Sequence, residues 1–269
     1  QEEPALDITV KEDPEGWSRK LNGQLTGNGS IRLRSAGTIS ELPGYAEGHW
    51  WVQDLASSLA VTALGDVRDK SVLDVCAAPG GKTAQLIAKK AVVTALDISA
   101  SRLDTMRENL QRLGLQASRI VCADALEYLK NAPQYPIVLL DAPCSATGTL
   151  RRHPEIVHTR TRADVVKNSE IQHQMLEAAA PAVAEGGLLL YAVCSLSKAE
   201  GEQQIGRFLD SHPEFTISEI SAEEINPYGM PGFEKLITPE GYIRCLPDPL
   251  GGIDGFFIAR LQKSSSYKC

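Results

Sequence analysis

Apolar runs of strand length alternate with helical patterns through the middle of the chain. Strands are predicted at residues 71–76, 92–97, 120–122, 137–141 and 188–193. Residues at helical spacing lie between successive strands, and strands that are separated by single helices pair in parallel. The pattern therefore predicts an α/β fold with a mostly parallel sheet and helices on both faces.

Two more helices are predicted from local signals. Apolar residues recur at helical spacing across residues 50–64, which predicts an amphipathic helix that leans on the sheet. Ser197 and Glu200 form a capping-box pattern, so a further helix is predicted from there to about residue 210.

The two ends of the chain depart from the alternation. Residues 1–42 are polar and glycine-rich with short alternating stretches, and we expect a small N-terminal α+β remnant there, followed by the main domain over residues 43–263. Strands are predicted at residues 214–220 and 256–261, with a long insertion rich in Pro and Gly between them. Residues 264–269 are predicted to be a frayed tail.

Composition is typical of a globular protein. Of the 269 residues 43% are hydrophobic, which suffices for a substantial core. No stretch approaches the roughly 18–20 apolar residues that a membrane-spanning helix needs, and the amino end lacks a signal-peptide pattern. The net charge of −7 argues against nucleic-acid binding through bulk positive charge. We therefore expect a soluble cytoplasmic protein whose contacts with any nucleic acid depend on local charge.

Six cysteines are present, and none forms a C-x-x-C pair. Neither a zinc site nor a disulfide framework has the spacing it requires, so we expect no metal and reduced thiols. Cys144 and Cys194 stand out because each follows the apolar run of a predicted strand. A parallel sheet would bring both to its carboxyl edge, where α/β sheets hold their ligands. One thiol can then be a nucleophile that the other assists.

A glycine-rich turn follows the first of these strands, at residues 74–83. Small residues let a ligand approach the backbone, and free amides at the start of the next helix can receive a carboxylate or a phosphate. A P-loop requires glycine where this chain has Cys76, and no G-x-G-x-x-G fingerprint is present. With these two kinds of nucleotide site excluded, we expect a ligand that carries a nucleoside and a small anionic group, such as S-adenosylmethionine.

An acidic residue ends each of three successive predicted strands: Asp97, Asp124 and Asp141. A carboxylate at the second strand end can accept both ribose hydroxyls, one at the third can accept the adenine amino group, and one at the fourth lies nearest the reacting centre. Each alone is an ordinary helix cap or turn former, but three in register favour a ligand site. Asp74, inside the first strand's end, is expected to hold the glycine-rich loop by hydrogen bonds.

Basic residues are concentrated directly after Cys144. Residues 151–167 contain five Arg and Lys side chains against two acidic ones. Arg151 and Arg152 are expected to contact RNA phosphates. The same segment can equally well be a solvent-exposed loop followed by the first turn of a helix, without a role in binding.

Taken together, these motifs resemble the Nop/Sun family of RNA cytosine-C5 methyltransferases, and within it the bacterial Sun type that modifies a cytosine in 16S ribosomal RNA. The resemblance covers roughly residues 43–262 and is carried by residues 43–54, 74–83, 141–148, 151–154, 194–195 and 254–257. It implies a class I (Rossmann-like) methyltransferase fold with a seven-stranded sheet, S-adenosyl-L-methionine as methyl donor, and a small RNA-binding subdomain, whose end residues 1–42 resemble. A monomer that acts on RNA, without a membrane or a metal, is the family expectation.

The resemblance also implies residue roles. The methyl-donor site corresponds to Cys76, Ala77, Ala78, Pro79, Gly80, Gly81, Lys82, Asp97, Asp124 and Asp141. The nucleophile corresponds to Cys194, the second cysteine that helps to release the product corresponds to Cys144, and the active-site aspartate corresponds to Asp141. One departure is visible, because Val193 stands where the family usually has threonine before the nucleophile.

A thiol suits this reaction because carbon 5 of cytosine is too electron-poor to attack a methyl sulfonium. Addition of a thiolate to carbon 6 turns the ring into an enamine that is nucleophilic at carbon 5. Asp141 is expected to act near N3 and the amino group of the ring, and Cys144 is a candidate base for the release step.

Three alternatives stay open at this point. The two thiols could exchange roles, since DNA cytosine-C5 methyltransferases use a Pro-Cys after their fourth strand, which Pro143 and Cys144 resemble. The chain could be a non-catalytic RNA-binding or ribosome-assembly factor that keeps the fold without turnover. It could also be a P-loop nucleotide hydrolase, which predicts nucleoside triphosphate binding at residues 80–83.

Overall fold

The computed structural model of the protein describes residues 4–34, 37–247 and 252–265. Within them the chain builds a small antiparallel sheet and a large, mostly parallel sheet. The small sheet has the order β2-β3-β1-β4 and consists of β1 (Leu6–Val10), β2 (Gln24–Leu25), β3 (Ile31–Leu33) and β4 (Trp50–Val52). Helix α1 (Pro14–Lys20) covers it, because Trp17 of α1 shares one apolar cluster with Ile8 and Trp50. An α+β unit was predicted for residues 1–42, and this one extends to Val52.

Eight strands form the large sheet. They are β5 (Ser71–Val75), β6 (Val92–Asp97), β7 (Arg119–Cys122), β8 (Tyr135–Asp141), β9 (Val183–Val193), β10 (Phe215–Ile217), β11 (Ile243–Cys245) and β12 (Phe256–Lys263). The order is β10-β12-β9-β8-β5-β6-β7, and β11 also pairs with β12. Strands β5 to β9 pair in parallel, whereas β12 is antiparallel to each of its neighbours. The predicted mostly parallel α/β sheet is confirmed, with the short β11 added to the seven expected strands.

Helices cover both faces of the large sheet. They are α2 (Leu55–Thr62), α3 (Gly81–Ala88), α4 (Ala100–Arg112), α5 (Ala125–Leu129), α6 (Ile156–Thr159), α7 (Arg162–Ala179), α8 (Glu202–Ser211) and α9 (Ala222–Ile225). Val72 of β5 lies in one apolar cluster with Leu59 of α2. The next residue, Leu73, lies in a second cluster with Leu176 of α7, because successive side chains of a strand point to opposite faces. Both faces are therefore buried, which accounts for the continuous apolar runs in the sequence.

The predicted helix over residues 50–64 is wrong in its first part. Trp50–Val52 forms β4, which pairs with β1 and buries both tryptophans. The helix begins only at Leu55, where the carboxylate of Asp54 accepts a 2.9 Å hydrogen bond from one of its first backbone N–H groups. Because β4 lies beyond residue 42, the small sheet crosses the predicted boundary between the two regions.

Helix α8 begins at Glu202, two residues after the predicted capping box. Gly201 precedes its first turn and offers no side-chain cap. Glu200 is completely buried, and its carboxylate accepts hydrogen bonds from the side chains of Ser145, Gln172 and Ser195. The predicted capping box between Ser197 and Glu200 is therefore wrong, because long-range partners occupy the carboxylate.

The carboxyl-terminal part is irregular up to β12. It contains α9, a 3-10 turn at Phe233–Leu236 and β11, and residues 248–251 lie outside the described residues. Of the tail predicted to be frayed, residues 266–269 also lie outside them, whereas the backbone N–H of Ser264 donates to the carbonyl of Glu214 at 2.7 Å. None of the helices in the described residues could span a lipid bilayer, and no group of three or more His, Cys, Asp or Glu side chains in this part of the chain could hold a metal ion.

Candidate active site

The glycine-rich turn forms a tight loop between β5 and α3. Cys76 and Gly80 both adopt left-handed backbone conformations, with φ angles of 62° and 101°. A side chain at Gly80 would clash with Met106, so glycine is required there. No side chain caps the start of α3, where Gly81 and Lys82 line a cavity. The first backbone N–H groups of α3 can therefore receive an anionic group of a ligand.

Asp74, near the end of β5, holds this loop through a buried hydrogen bond. Its side chain is completely buried, and Oδ2 accepts a 2.6 Å hydrogen bond from the hydroxyl of Thr83 in α3. Its Oδ1 atom has no hydrogen-bond partner among the described residues. Burial raises the pKa of Asp74 to about 7. The loop is thus held by the kind of hydrogen bond that the sequence led us to expect.

A cavity of about 640 Å³ opens at the carboxyl edge of the large sheet, beside the glycine-rich loop. This volume is typical of small-molecule sites. The predicted site residues that line it are Cys76, Ala77, Ala78, Pro79, Gly81, Lys82, Asp97, Asp124, Asp141, Cys144, Arg152 and Cys194. Gly80 and Arg151 are not part of the lining. The fold therefore brings together most of the side chains that the sequence singled out.

The acids at the ends of β6 and β7 have different surroundings. Asp97 is buried, and its two carboxylate oxygens accept hydrogen bonds from the backbone N–H groups of Ser99 at 2.9 Å and Ala78 at 3.1 Å. Asp124 is exposed and caps α5 through Oδ1. Asp97 thus ties β6 to the glycine-rich loop, and both carboxylates line the cavity.

Asp141, at the end of β8, forms an ion pair with Lys82 of α3. The Nζ atom of Lys82 lies 2.7 Å from Asp141 Oδ2 and 2.8 Å from Ser57 Oγ. The same ammonium group lies 5.2 Å from the centre of the Phe256 ring. A hydrogen-bond donor and an acceptor therefore stand side by side in the cavity wall. No role was predicted for Ser57 or Phe256, because their contacts with Lys82 arise only through the fold.

The thiols of Cys144 and Cys194 meet at the edge of the sheet. Their sulfur atoms are 3.3 Å apart, so one thiol donates a hydrogen bond to the other. Cys194 follows β9, and Cys144 lies in the loop after β8, which pairs with β9 in parallel. Both side chains are partly exposed. The two cysteines thus lie where the parallel sheet was expected to bring them.

The two thiols differ in acidity. The pKa of Cys194 is lowered because Cys144 donates a hydrogen bond to it, and the positive charge of Lys82 adds to this effect against burial and the charge of Asp141. The pKa of Cys144 is raised well above its ordinary value by the same hydrogen bond and by burial. Cys194 is therefore the first of the pair to ionise. Burial raises the pKa of Cys76, whose thiol is not activated.

Arg151 and Arg152 are held by acidic side chains from distant parts of the chain. The Nη2 atom of Arg151 lies 2.9 Å from Asp54 Oδ2 and 3.3 Å from Asp254 Oδ1. Arg152 forms an ion pair with Asp254, and 40% of its side chain is exposed. Burial and the charge of Asp254 raise the pKa of Asp54 to about 6. These partners were not predicted, because 97 to 103 residues separate them from the arginines along the chain.

Comparisons with known proteins agree with this geometry. A family profile described as 16S rRNA methyltransferase RsmB/F matches residues 61–262. Ribosomal RNA small subunit methyltransferase B of Yersinia pseudotuberculosis (serotype O:1b, strain IP 31758) is 39% identical over 237 residues, which are 87% of this chain and 52% of that protein. The chain thus spans about half the length of the curated relatives it matches.

Solved structures share the fold. The crystal structure of PH0851 superimposes with a TM-score of 0.86 and 28% identity, covering 98% of this chain and 60% of that one. A methyltransferase homolog protein from Pyrococcus horikoshii has a TM-score of 0.77 and 27% identity, covering 97% of this chain and 87% of that one. These likenesses confirm the predicted class I methyltransferase fold. The family profile matches residues 61–262, which include the glycine-rich loop, the three acids at the strand ends and both thiols of the cavity. The chain therefore belongs to the 16S rRNA methyltransferase RsmB/F family.

Proposed function

We propose that this protein transfers a methyl group from S-adenosyl-L-methionine to carbon 5 of a cytosine in RNA, through a covalent adduct with Cys194. The observation that carries the proposal is the pair of thiols, Cys144 and Cys194, 3.3 Å apart in the cavity that the glycine-rich loop lines. A protein that only binds RNA needs no pair of neighbouring thiols of different acidity. The family description and the name of the Yersinia relative support 16S ribosomal RNA as the substrate.

The cavity suits S-adenosylmethionine as the donor. The uncapped first turn of α3 offers N–H groups to its carboxylate, and Asp97 and Asp124 offer acceptors for ribose hydroxyls and the adenine amino group. The small side chains of Ala77 and Ala78 leave the backbone of the loop accessible. When bound, this donor supplies an electrophilic methyl group on a sulfonium.

Cys194 is the group that activates the pyrimidine. Its lowered pKa increases the thiolate fraction at neutral pH, and the thiolate adds to carbon 6 of cytosine. The new carbon–sulfur bond shifts electron density to carbon 5, which then takes the methyl group. The hydrogen bond from Cys144 favours the ionised form of Cys194 before the ring arrives.

Lys82 and Asp141 are suited to hold the ring during this addition. The ammonium of Lys82 can donate to N3 or O2 of cytosine, and the carboxylate of Asp141 can accept from its amino group. As the thiolate adds, negative charge develops on the ring beside this ammonium, which stabilises it. The pair therefore combines recognition of cytosine with activation.

Release of the product requires that the carbon 5 proton leaves and that the sulfur of Cys194 is expelled. Cys144 can act as the base at this stage. Once the sulfur of Cys194 is bonded to the ring, it no longer accepts the hydrogen bond from Cys144. Cys144 as a thiolate, its own proton having passed to solvent, or a water molecule that it orders, then takes the carbon 5 proton while the carbon–sulfur bond breaks and Cys194 leaves as a thiolate.

The RNA is expected to place an unstacked cytosine in the cavity and its phosphates along the basic segment of residues 151–167. We infer that Arg152, which lies at the cavity with 40% of its side chain exposed, contacts a phosphate together with Arg151, and that residues 1–42 add an RNA-binding surface. We also infer a monomer that acts in the cytoplasm without a metal.

Trapping with RNA that contains 5-fluorocytosine tests the assignment, because fluorine at carbon 5 prevents release. Wild type and Cys144→Ala should form a covalent protein–RNA adduct, whereas Cys194→Ala should form none. Cys122→Ala, at an exposed thiol that does not line the cavity, is the matched control and should behave as wild type. An adduct that persists in Cys194→Ala and disappears in Cys144→Ala would exchange the roles of the thiols.

Methyl transfer itself is tested with tritiated S-adenosylmethionine and small-subunit RNA. Wild-type protein should label cytosine at carbon 5, and Cys194→Ala should not. Absence of labelling by the wild type, with the donor bound, would favour the non-catalytic assembly factor. Binding of ATP but not of S-adenosylmethionine in calorimetry would favour the nucleotide hydrolase.

A further inference from the structure

A buried carboxylate joins the two loops that carry the thiols. Glu200 has no exposed surface, and its Oε2 atom accepts hydrogen bonds of 2.5 Å from the hydroxyls of both Ser145 and Ser195. Its Oε1 atom accepts from the backbone N–H of Ser145 at 2.8 Å and from Nε2 of Gln172 at 3.1 Å. Four donors thus satisfy this charge in the interior, which is what a buried carboxylate requires.

The two serines are the residues directly after the two thiols. Ser145 follows Cys144, and Ser195 follows Cys194. One carboxylate therefore fixes both loops at positions adjacent to the reacting sulfur atoms. A second link, from the backbone N–H of Gly148 to the carbonyl of Cys194 at 3.0 Å, joins the same two loops without reaching Glu200.

We propose that Glu200 is a positioning residue that holds the thiols of Cys144 and Cys194 at hydrogen-bonding distance. The inference rests on the proposed function, for which that distance matters. The carboxylate positions the sulfur atoms through the serine next to each thiol and through Gln172, whose Nε2 atom also donates to the carbonyl of Pro143 at 2.9 Å. It is completely buried, so it touches neither RNA nor methyl donor. Small displacements of reacting groups cost about 10²-fold in rate, so a loosened pair of loops has a measurable effect.

The charged groups around Cys144 and Cys194 also affect which of the two thiols ionises. Asp141 opposes and Lys82 favours ionisation of Cys194, while the negative charge of Glu200 adds to the effects that keep Cys144 protonated. Cys144 therefore remains the donor of the hydrogen bond as long as the two loops stay together. Loss of that bond would raise the pKa of Cys194.

Three variants separate geometry from charge. Glu200→Asp keeps the charge but shortens the side chain by one methylene, so it cannot reach both serines. Glu200→Gln removes the charge but keeps the shape, because its amide oxygen can accept from the N–H of Ser145 while its NH₂ group donates to the two hydroxyls. Ser195→Ala keeps the carboxylate and removes only its hydrogen bond to the Cys194 loop.

The first measurement is the rate of alkylation of Cys194 by iodoacetamide as a function of pH, with mass spectrometry to identify the modified thiol. Glu200→Asp and Ser195→Ala should shift the midpoint for Cys194 upward by about one pH unit or more, since the stabilising hydrogen bond is lost. Glu200→Gln should stay within about 0.3 units of wild type. Glu170→Gln, an exposed acid of α7 that pairs with Arg207 at 3.0 Å, is the control and should match wild type.

The second measurement is adduct formation with RNA that contains 5-fluorocytosine. Glu200→Asp should slow the adduct at saturating RNA by about 10- to 100-fold, with the KM for RNA unchanged within about twofold, and Glu200→Gln should restore most of the rate. Rates and midpoints for Glu200→Asp that equal those of wild type would overturn the proposal. Equal losses in Glu200→Asp and Glu200→Gln would also overturn it, because a charge requirement is not positioning.

Two features keep the test decisive. If Glu200→Asp does not fold, Ser195→Ala and Glu200→Gln decide the question, because both retain a hydrogen-bonding side chain at position 200. Alkylation needs neither RNA nor methyl donor, so a wild type that transfers no methyl group would refute the proposed function while the alkylation profile still tests the role of Glu200.

Discussion

Asp74 is a buried acid whose ionisation opposes folding, so its replacement should change how stability depends on pH. Burial raises its pKa from 3.8 to about 7. Between these values the folded protein holds a proton that the unfolded chain has released, and the free energy of unfolding therefore falls as the pH rises. At about 1.4 kcal/mol per pH unit, Asp74 alone lowers the stability by about 4 kcal/mol between pH 3.8 and about 7.

Asparagine cannot ionise at this position, and it keeps an oxygen for the hydroxyl of Thr83. Its amide group takes the place of Oδ1, for which the described residues offer no partner, and a buried unpaired amide costs about 1–3 kcal/mol at every pH. Asp74→Asn therefore shifts the stability by a constant and changes its slope with pH. The slope of the free energy of unfolding against pH therefore distinguishes the two proteins. Relative to the variant, the free energy of unfolding of the wild type should fall by about 4 kcal/mol from about pH 4 to about pH 7.

Urea unfolding of both proteins in steps from about pH 4 to about pH 8 measures this difference. Asp104→Asn is the control, because Asp104 lies exposed on α4 and pairs with Arg107 at 2.7 Å. Its difference from wild type should stay within about 0.5 kcal/mol throughout. A difference between wild type and Asp74→Asn that does not vary with pH would refute the reasoning, since Asp74 would then ionise as readily in the folded protein as in the unfolded chain.

Three further changes test other parts of the site. Lys82→Met removes the charge that lowers the pKa of Cys194, so alkylation of that thiol by iodoacetamide at pH 7 should slow by about tenfold, and an unchanged rate would show that the ammonium does not act on it. Asp254→Ala removes the buried partner of Arg152, and urea unfolding should report a loss of about 3 kcal/mol; a stability equal to that of wild type would mean that the ion pair is not needed for folding. Gly80→Ala forces a side chain into a φ of 101° and should cost about 1–3 kcal/mol in the same assay, whereas an unchanged midpoint would show that the loop can rearrange.

The middle of the central sheet could be predicted because strands such as β6, β8 and the second half of β9 are buried on both faces and contain apolar runs. The half-exposed β7 has a weaker pattern, but the acids after β6, β7 and β8 still mark the carboxyl edge, where Asp97, Asp124 and Asp141 line one cavity. The strand at Trp50–Val52 was missed because three residues are too few to distinguish alternation from helical spacing, and only its pairing with β1 decides.

The details of the site depend on partners far away in sequence. Glu200 matches a local capping box, yet the serines beside both thiols compete successfully for its carboxylate. Arg151 and Arg152 are two adjacent basic residues in the sequence, but in the fold they form ion pairs with Asp54 and Asp254. Neither outcome has a local signal, because long-range contacts determine which polar groups meet.

The short strand β4 has a mechanical consequence. It belongs to the small sheet, and its last residue, Val52, lines the cavity together with three residues that follow it: Gln53, Asp54 and Ser57. Asp7 of β1 strengthens this connection, since its carboxylate accepts a 3.1 Å hydrogen bond from the first N–H of α2. The small sheet is therefore joined by a continuous stretch of backbone to Ser57, which accepts a hydrogen bond from the ammonium of Lys82, so the position of this sheet also sets the position of that wall of the cavity.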